Sequence, residues 1–275
     1  MYEPFNEYER SMWSSPRAAA YERGVTALTA HTVEPLLDAV GAAAGVRLLD
    51  IGTGPGVVAE RAAVRGCAVV GVDVSPQMLE LAAARTPHAE FRVGSAEALP
   101  VSTGEFAAAV GNFVLLHLGH PELGVAEAAR ALAAGGRCAF TVWAVGDRNR
   151  VLGVFLEAVA RAGVAAPADI PEGPLSWLYA DHDRFRALLE GAGLVDVDVV
   201  DIEWTHRVDP GQWWEAIVAS TPRTGALIAR QPPDVQERLR VAYDEIMREY
   251  TTTEGVAILP VAAVLASGAR CVDSR

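Results

Sequence analysis

The stretch Leu48-Leu49-Asp50-Ile51-Gly52-Thr53-Gly54-Pro55-Gly56 decides the fold. An apolar run breaks into three glycines, and residues 57–65 then read as a helix stopped by Gly66. A strand, a glycine turn and a helix in that order bring backbone close to a nucleotide. About 20 residues further on, Asp73 ends the next apolar run, where a carboxylate accepts the hydrogens of ribose hydroxyls. The glycines fall as G-x-G-x-G, whereas dinucleotide loops favour G-x-G-x-x-G with a third glycine placed for the pyrophosphate site. No lysine follows to meet a phosphate. The loop therefore reads as a grip for a nucleoside.

The same alternation continues outward. Residues 46–51 and 67–72 read as buried strands, and Ser75-Pro76 as an N-cap before a helix reaching about residue 85. Residues 91–93 and 106–114 read as further strands, 121–134 as a helix closed by Gly135-Gly136, and 137–143 as a fifth strand. This repetition implies a parallel, doubly wound sheet whose binding crevice lies at the strands' carboxyl ends. Residues 1–40, 147–180 and 209–250 are helix-prone without strand periodicity and hold Trp13, Trp177, Trp213 and Trp214. They read as a cap over the crevice. The expected organisation is an N-terminal cap at 1–40, a core at 41–146, a cap insertion at 147–180, and the rest of the core at 181–275 with its own insertion at 209–250.

Composition narrows the function. The chain has 275 residues, 51% of them hydrophobic, enough for one α/β domain with elaborations or two small ones. Its 23 basic and 35 acidic residues give a net charge of −12, which repels phosphate backbones and anionic lipid and argues against nucleic acid or membrane partners. Every basic residue is arginine. That removes the P-loop lysine, the Schiff-base lysine and the Tyr-x-x-x-Lys couple of short-chain dehydrogenases. Cys67, Cys138 and Cys271 are odd in number and far apart, so reduced thiols are expected rather than disulfides. His117 and His120 lack clustered carboxylates, and no metal is expected. The start MYEPFNEYER has no apolar core, and residues 256–269 are too short to cross a bilayer and contain Pro260, so a cytoplasmic protein is expected.

Five blocks in order, LLDIGTGPG, GVDVSPQML, GSAEALP, FAAAVGNFVLLHL and GGRCAFTVW, make the sequence resemble the class I S-adenosylmethionine-dependent methyltransferases. The likeness is greatest to the small-molecule branch typified by ubiquinone and menaquinone biosynthesis, and covers about residues 45–143. It implies a doubly wound, mostly parallel, seven-stranded Rossmann-like α/β sheet with helical cap insertions, and S-adenosyl-L-methionine as cofactor. It also implies methyl transfer to oxygen, nitrogen or carbon of a small, apolar or aromatic metabolite, with a homodimer left open. The methionine part of that cofactor carries no phosphate, which explains the missing lysine. Two alternatives stand beside it: a protein that binds the cofactor without transferring its methyl group, as a cyclase would, and a nicotinamide oxidoreductase, whose loop spacing is absent.

Carried over by position, the resemblance has Asp50 orient the loop and meet the cofactor's ammonium group, while Gly52, Thr53, Gly54 and Gly56 let backbone pass close. Asp73 holds the ribose, Val74 and Met78 cover adenine, and the Ala96 amide faces the adenine edge. Ser95 stands where the family commonly has aspartate and accepts more weakly, with Glu97 beside it to compensate. Asn112 lies beneath the sulfonium with its backbone carbonyl facing the ammonium group, followed by Phe113. His117 leads as general base because it closely follows the fourth strand; pinning its own loop is the other role open to it. His206 shares a strand face with Ile202, Trp204 and Val208, so it faces either pocket or core. Tyr8, Trp13, Arg17, Tyr21, Trp177, Trp213 and Trp214 are the candidate substrate contacts, and their rings suit a flat apolar acceptor.

Overall fold

Four short helices open the computed structural model, which describes residues 2–13 and 15–272. They are α1 (Glu3–Met12), α2 (Ser15–Gly24), α3 (Thr26–Thr29) and α4 (Val33–Ala39). Then follow β1 (Arg47–Ile51), α5 (Val57–Val64), β2 (Ala68–Asp73), α6 (Pro76–Arg85), β3 (Glu90–Val93), β4 (Phe106–Asn112), α7 (Pro121–Ala131) and β5 (Leu132–Trp143). The last part comprises α8 (Arg150–Arg161), α9 (His182–Gly191), β6 (Leu194–Val208), α10 (Pro210–Ser220), α11 (Thr224–Ala229), α12 (Pro233–Met247) and β7 (Ala257–Arg270).

The seven strands form one sheet in the order β3-β2-β1-β4-β5-β7-β6. The first five run parallel, and β7 runs antiparallel between β5 and β6. The sheet is thus doubly wound and mostly parallel. Central β1 carries adjacent leucines, Leu48 and Leu49, one for each of its two covered faces. On one face, Leu49, Val72, Phe106 and Phe140 pack with Val125 of α7 and with Phe185 and Leu189 of α9. On the other, Leu48, Val69 and Val110 pack with Leu36 and Leu37 of α4 and with Val58 and Ala62 of α5. Helix α4, inside the 1–40 segment read as cap, therefore lies on the sheet.

A third cluster joins the helical segments at the strands' carboxyl edge. Helix α8 buries Val151, Val154, Phe155 and Ala158, spaced as one face of a helix, against Ile217 of α10, Leu239 and Ile246 of α12, and Leu259 of β7. Helix α2 crosses α10 so closely that a Cβ on Gly24 would stand 2.7 Å from the Ala216 Cβ. Among the described residues, no helix is long and apolar enough to cross a membrane.

Most boundaries fall within a residue of the sequence reading, but β5 starts at Leu132 rather than 137, and the ends of α7 and β4 also differ. The helix expected over 121–134 ends at Ala131, because Leu132 is extended and pairs with Phe106. The Arg270 guanidinium of β7 donates to the carbonyls of Ala129, Arg130 and Leu132 there, and these tertiary bonds override alanine's helix propensity. Strand β4 stops at Asn112 rather than 114, because Phe113 takes the left-handed conformation at φ 55°. Cys67 and Cys138 are buried free thiols, and Cys271 is exposed and free.

Candidate active site

Parallel strands end at one edge, so the loops after β1, β2, β3 and β4 converge. They form one wall of a solvent-open cleft of about 1070 Å³, and α1 and α2 form the wall opposite. The first loop is tied across the sheet by the amides of Gly52 and Thr53, both donating to the Val72 carbonyl. A Cβ on Gly56 would lie 2.8 Å from the Ala82 Cα, closer than any side chain permits, so glycine there lets α5 and α6 meet. Gly54 has φ 52°, and a Cβ there would meet only the Gly52 oxygen, at 4.0 Å. Its open side faces the cleft, as a cradle for a close-fitting ligand requires.

Two carboxylates support this loop. Asp50 is 1% exposed beneath it: Oδ2 accepts from Thr53 Oγ1 at 2.6 Å, while Oδ1 is buried without a partner. Burial pushes its carboxyl up to about 7, against the hydrogen bond from Thr53. Asp50 does not itself line the cleft. Asp73 accepts from the Gly54 amide through Oδ2 and the Ser75 amide through Oδ1, both at 2.9 Å. Burial holds this carboxyl above its usual range too, opposed by those amides.

Val74 and Met78 line the same end of the cleft. Ser75 caps α6 by accepting from the Met78 amide, and its hydroxyl donates to the Trp13 carbonyl at 2.7 Å, tying the end of α1 to this wall. Ser95 and Ala96 line the next loop, with Ser95 Oγ accepting from the Glu97 amide. The carboxylate of Glu97 is otherwise engaged: it accepts from Asn6 Nδ2 at 2.7 Å and the His120 amide at 2.6 Å. Those bonds hold α1 and the following loop, while Glu97 still lines the cleft beside Ser95. The Asn112 side chain accepts from Thr32 and Thr141 and donates to the Thr29 carbonyl, so its amide serves the scaffold. Phe113 stacks on Trp143 with ring centres 3.8 Å apart.

His117 stands on the turn after β4 and faces the opposite wall. Its Nδ1 lies 2.9 Å from Oε2 of Glu9, a residue on α1 only 3% exposed. Glu9 Oε1 makes no hydrogen bond, but Arg223 Nε lies 3.5 Å away, an ion-pair separation. The Trp13 ring meets His117 edge-on at 5.1 Å and Tyr21 at 5.4 Å. The Tyr21 hydroxyl is pushed up to about 12 by burial, so it stays protonated and can donate. His120 Nδ1 turns away to Glu122, and among the described residues no metal-binding group of three gathers.

Several expected contacts lie elsewhere. His206 lines a separate hollow beside Arg23 and Trp213, where β6 carries it past the sheet; it does not reach the cleft. Trp213 is sealed at 1% exposure with Nε1 donating to the Val151 carbonyl, and Trp214 packs between Phe155 and Tyr243. Both complete the helical cluster because their helix buries them against α8 and α12. Trp177 is exposed and does not line the cleft. Tyr8 donates to the Pro222 carbonyl and Arg17 to the Thr221 carbonyl, so they clamp α1 and α2 onto the turn after α10. The sequence reading missed Asn6, Glu9 and Arg223, and of Ser75 it gave the N-cap but not the bond to Trp13. One signal was present: Glu9 follows Phe5 by one helical turn, on the face of α1 that packs inward.

Comparison with known proteins agrees with this architecture. A methyltransferase-domain family model matches residues 49–140. The demethylmenaquinone methyltransferase of Renibacterium salmoninarum is 31% identical over 170 residues, covering 59% of this chain and 72% of that protein. An uncharacterized methyltransferase of Mycobacterium tuberculosis is 34% identical over 184 residues, covering 65% of this chain and 72% of its own. Among solved structures, the YcgJ protein of Bacillus subtilis superposes with a TM-score of 0.56 over 88% of this chain and 98% of that one, at 21% identity, which speaks for the fold alone.

Proposed function

This chain belongs to the class I S-adenosylmethionine-dependent methyltransferases, in the branch of the quinone-biosynthesis enzymes, and we propose that its acceptor is a small, flat, largely apolar molecule seated between Phe113, Trp13 and Tyr21. The observation that carries the reading is the two-sided cleft. One wall offers the nucleoside grip of Gly54 and Asp73 with the His117 imidazole beside them, and the other offers the Trp13 and Tyr21 rings. The residues fit the cofactor: Asp50 Oδ1 lacks a buried partner, and Gly54 leaves open the space that any side chain would fill.

In this reading Asp73, already fixed by two amides, accepts from the ribose hydroxyls with its remaining lone pairs. Val74 and Met78 cover the adenine, and the Ala96 amide and Ser95 Oγ meet its edge. Asp50 answers the ammonium group from below the loop. The cofactor supplies an activated methyl group on a sulfonium, so the chain's own work is to align the acceptor, exclude water and remove a proton. His117 takes that proton, and Tyr21, which stays protonated, donates to a polar atom of the acceptor. The relationship to a demethylmenaquinone methyltransferase supports a phenol or quinol as acceptor class.

A mass-spectrometric screen of the protein with S-adenosylmethionine against phenols, quinols, isoprenoids and amines tests this. A product heavier by one methylene, formed from a flat apolar compound, is expected. His117→Ala should then lower turnover by about 10²–10⁴-fold, the usual worth of a general base. Preferential methylation of tRNA or a peptide would overturn the reading.

A further inference from the structure

The imidazole on the β4 side of the cleft takes its hydrogen-bond partner from the helix that opens the chain. We propose that Glu9 is a positioning residue that fixes His117 with its hydrogen on Nδ1 and its lone pair on Nε2, so that docking of α1 assembles the base; this rests on His117 being the proton acceptor. A carboxylate only accepts, so at 2.9 Å from Glu9 Oε2 a neutral imidazole must carry its hydrogen on Nδ1. Nε2 is then free to take a proton. Left alone, imidazole favours the other tautomer, with the hydrogen on Nε2 and nothing to accept with on that side.

Glu9 is suited to the task. It is 3% exposed, so water does not compete for Oε2, and Arg223 Nε lies 3.5 Å from the other oxygen as its countercharge. The other charged group near the imidazole from the sheet side is Asp73. The helix bearing Glu9 is held on both sides of the base. Asn6 donates to Glu97 and accepts from the Gly119 amide at 2.7 Å, and the Trp13 carbonyl accepts from Ser75. If α1 leaves the cleft, His117 loses its partner at the same moment that the acceptor pocket loses Trp13. Closure and base assembly are one event.

The step balances. As the acceptor X–H loses its proton to Nε2, X forms its bond to the methyl carbon, and the carbon–sulfur bond breaks with its electron pair staying on sulfur. The positive charge formerly on sulfur ends on the imidazolium, beside the Glu9 carboxylate, and leaves as a proton to solvent.

Long-range proton–nitrogen spectra of nitrogen-15-labelled protein saturated with S-adenosylhomocysteine test the inference without the acceptor, using His117→Ala to assign the ring. The wild-type ring should show its hydrogen on Nδ1. Glu9→Gln, whose amide can donate to Nδ1, and Glu9→Ala should each move it to Nε2, with S-adenosylhomocysteine affinity within threefold of wild type. A wild-type ring protonated on Nε2, or a tautomer unmoved in both variants, overturns the proposal. With an acceptor from the screen, Glu9→Gln should lower kcat by about 10²–10⁴-fold and leave the KM for S-adenosylmethionine nearly unchanged, as when a base is held in the wrong tautomer. Loss of activity in His117→Ala with full activity in Glu9→Gln sinks this inference alone, whereas full activity in His117→Ala sinks the base reading beneath it.

Discussion

Asp50 is a buried carboxyl whose position costs the fold stability. Its carboxyl stays protonated in the fold up to about pH 7, whereas in the unfolded chain it ionises near the ordinary value of 3.8. Between those values the unfolded state has lost a proton that the folded state retains, so stability falls as pH rises through that window and levels off above it. The cost is on the order of 4 kcal/mol at pH 8, at about 1.4 kcal/mol for each pH unit of the window. Asp50→Asn should therefore be the more stable protein in urea at pH 8, with the difference shrinking toward pH 4, while binding S-adenosylmethionine more weakly. Equal stabilities at both pH values would show that Asp50 ionises freely. Asp50 was legible in the sequence because it sits inside the loop motif. Glu9 was not, since its partner lies 108 residues away and only packing brings them together.

The element on which the account turns is α1. It contributes Asn6, Glu9 and Trp13 to the site and is anchored by Tyr8 to the turn after α10 and by the Trp13 carbonyl to Ser75. Ser75→Ala removes both the N-cap of α6, typically worth about 1 kcal/mol, and the tie to Trp13. Amide exchange over residues 3–12 should slow when S-adenosylhomocysteine binds the wild type, and should be faster in Ser75→Ala in both states. Strong protection of α1 unaffected by ligand or variant would describe a rigid wall instead. The β-α-β succession was legible because buried parallel strands are continuously apolar and glycines close the helices. The end of α7 was not, because Arg270, distant in sequence, decides it. Nor was the bend at Phe113, where stacking on Trp143 accompanies a conformation that sequence pattern does not report.

At the scale of the whole molecule, the sheet gathers four loops at one edge and the helical segments cover that edge from the other side. Paired tryptophans in a cap segment suggested substrate contacts, but Trp213 and Trp214 hold α8, α10 and α12 together. Aromatic composition marks burial of either kind, and which kind depends on how the helices pack. The net charge of −12 is consistent with a neutral or cationic small molecule entering, rather than nucleic acid. The most direct test of the central claim is calorimetric titration of S-adenosylhomocysteine into the wild type and Asp73→Ala. Micromolar binding to the wild type is expected, with a loss of about 1.5–3 kcal/mol in the variant, the worth of hydrogen bonds to a charged group. Absence of binding to the folded wild type, or the same affinity in Asp73→Ala, would contradict that claim.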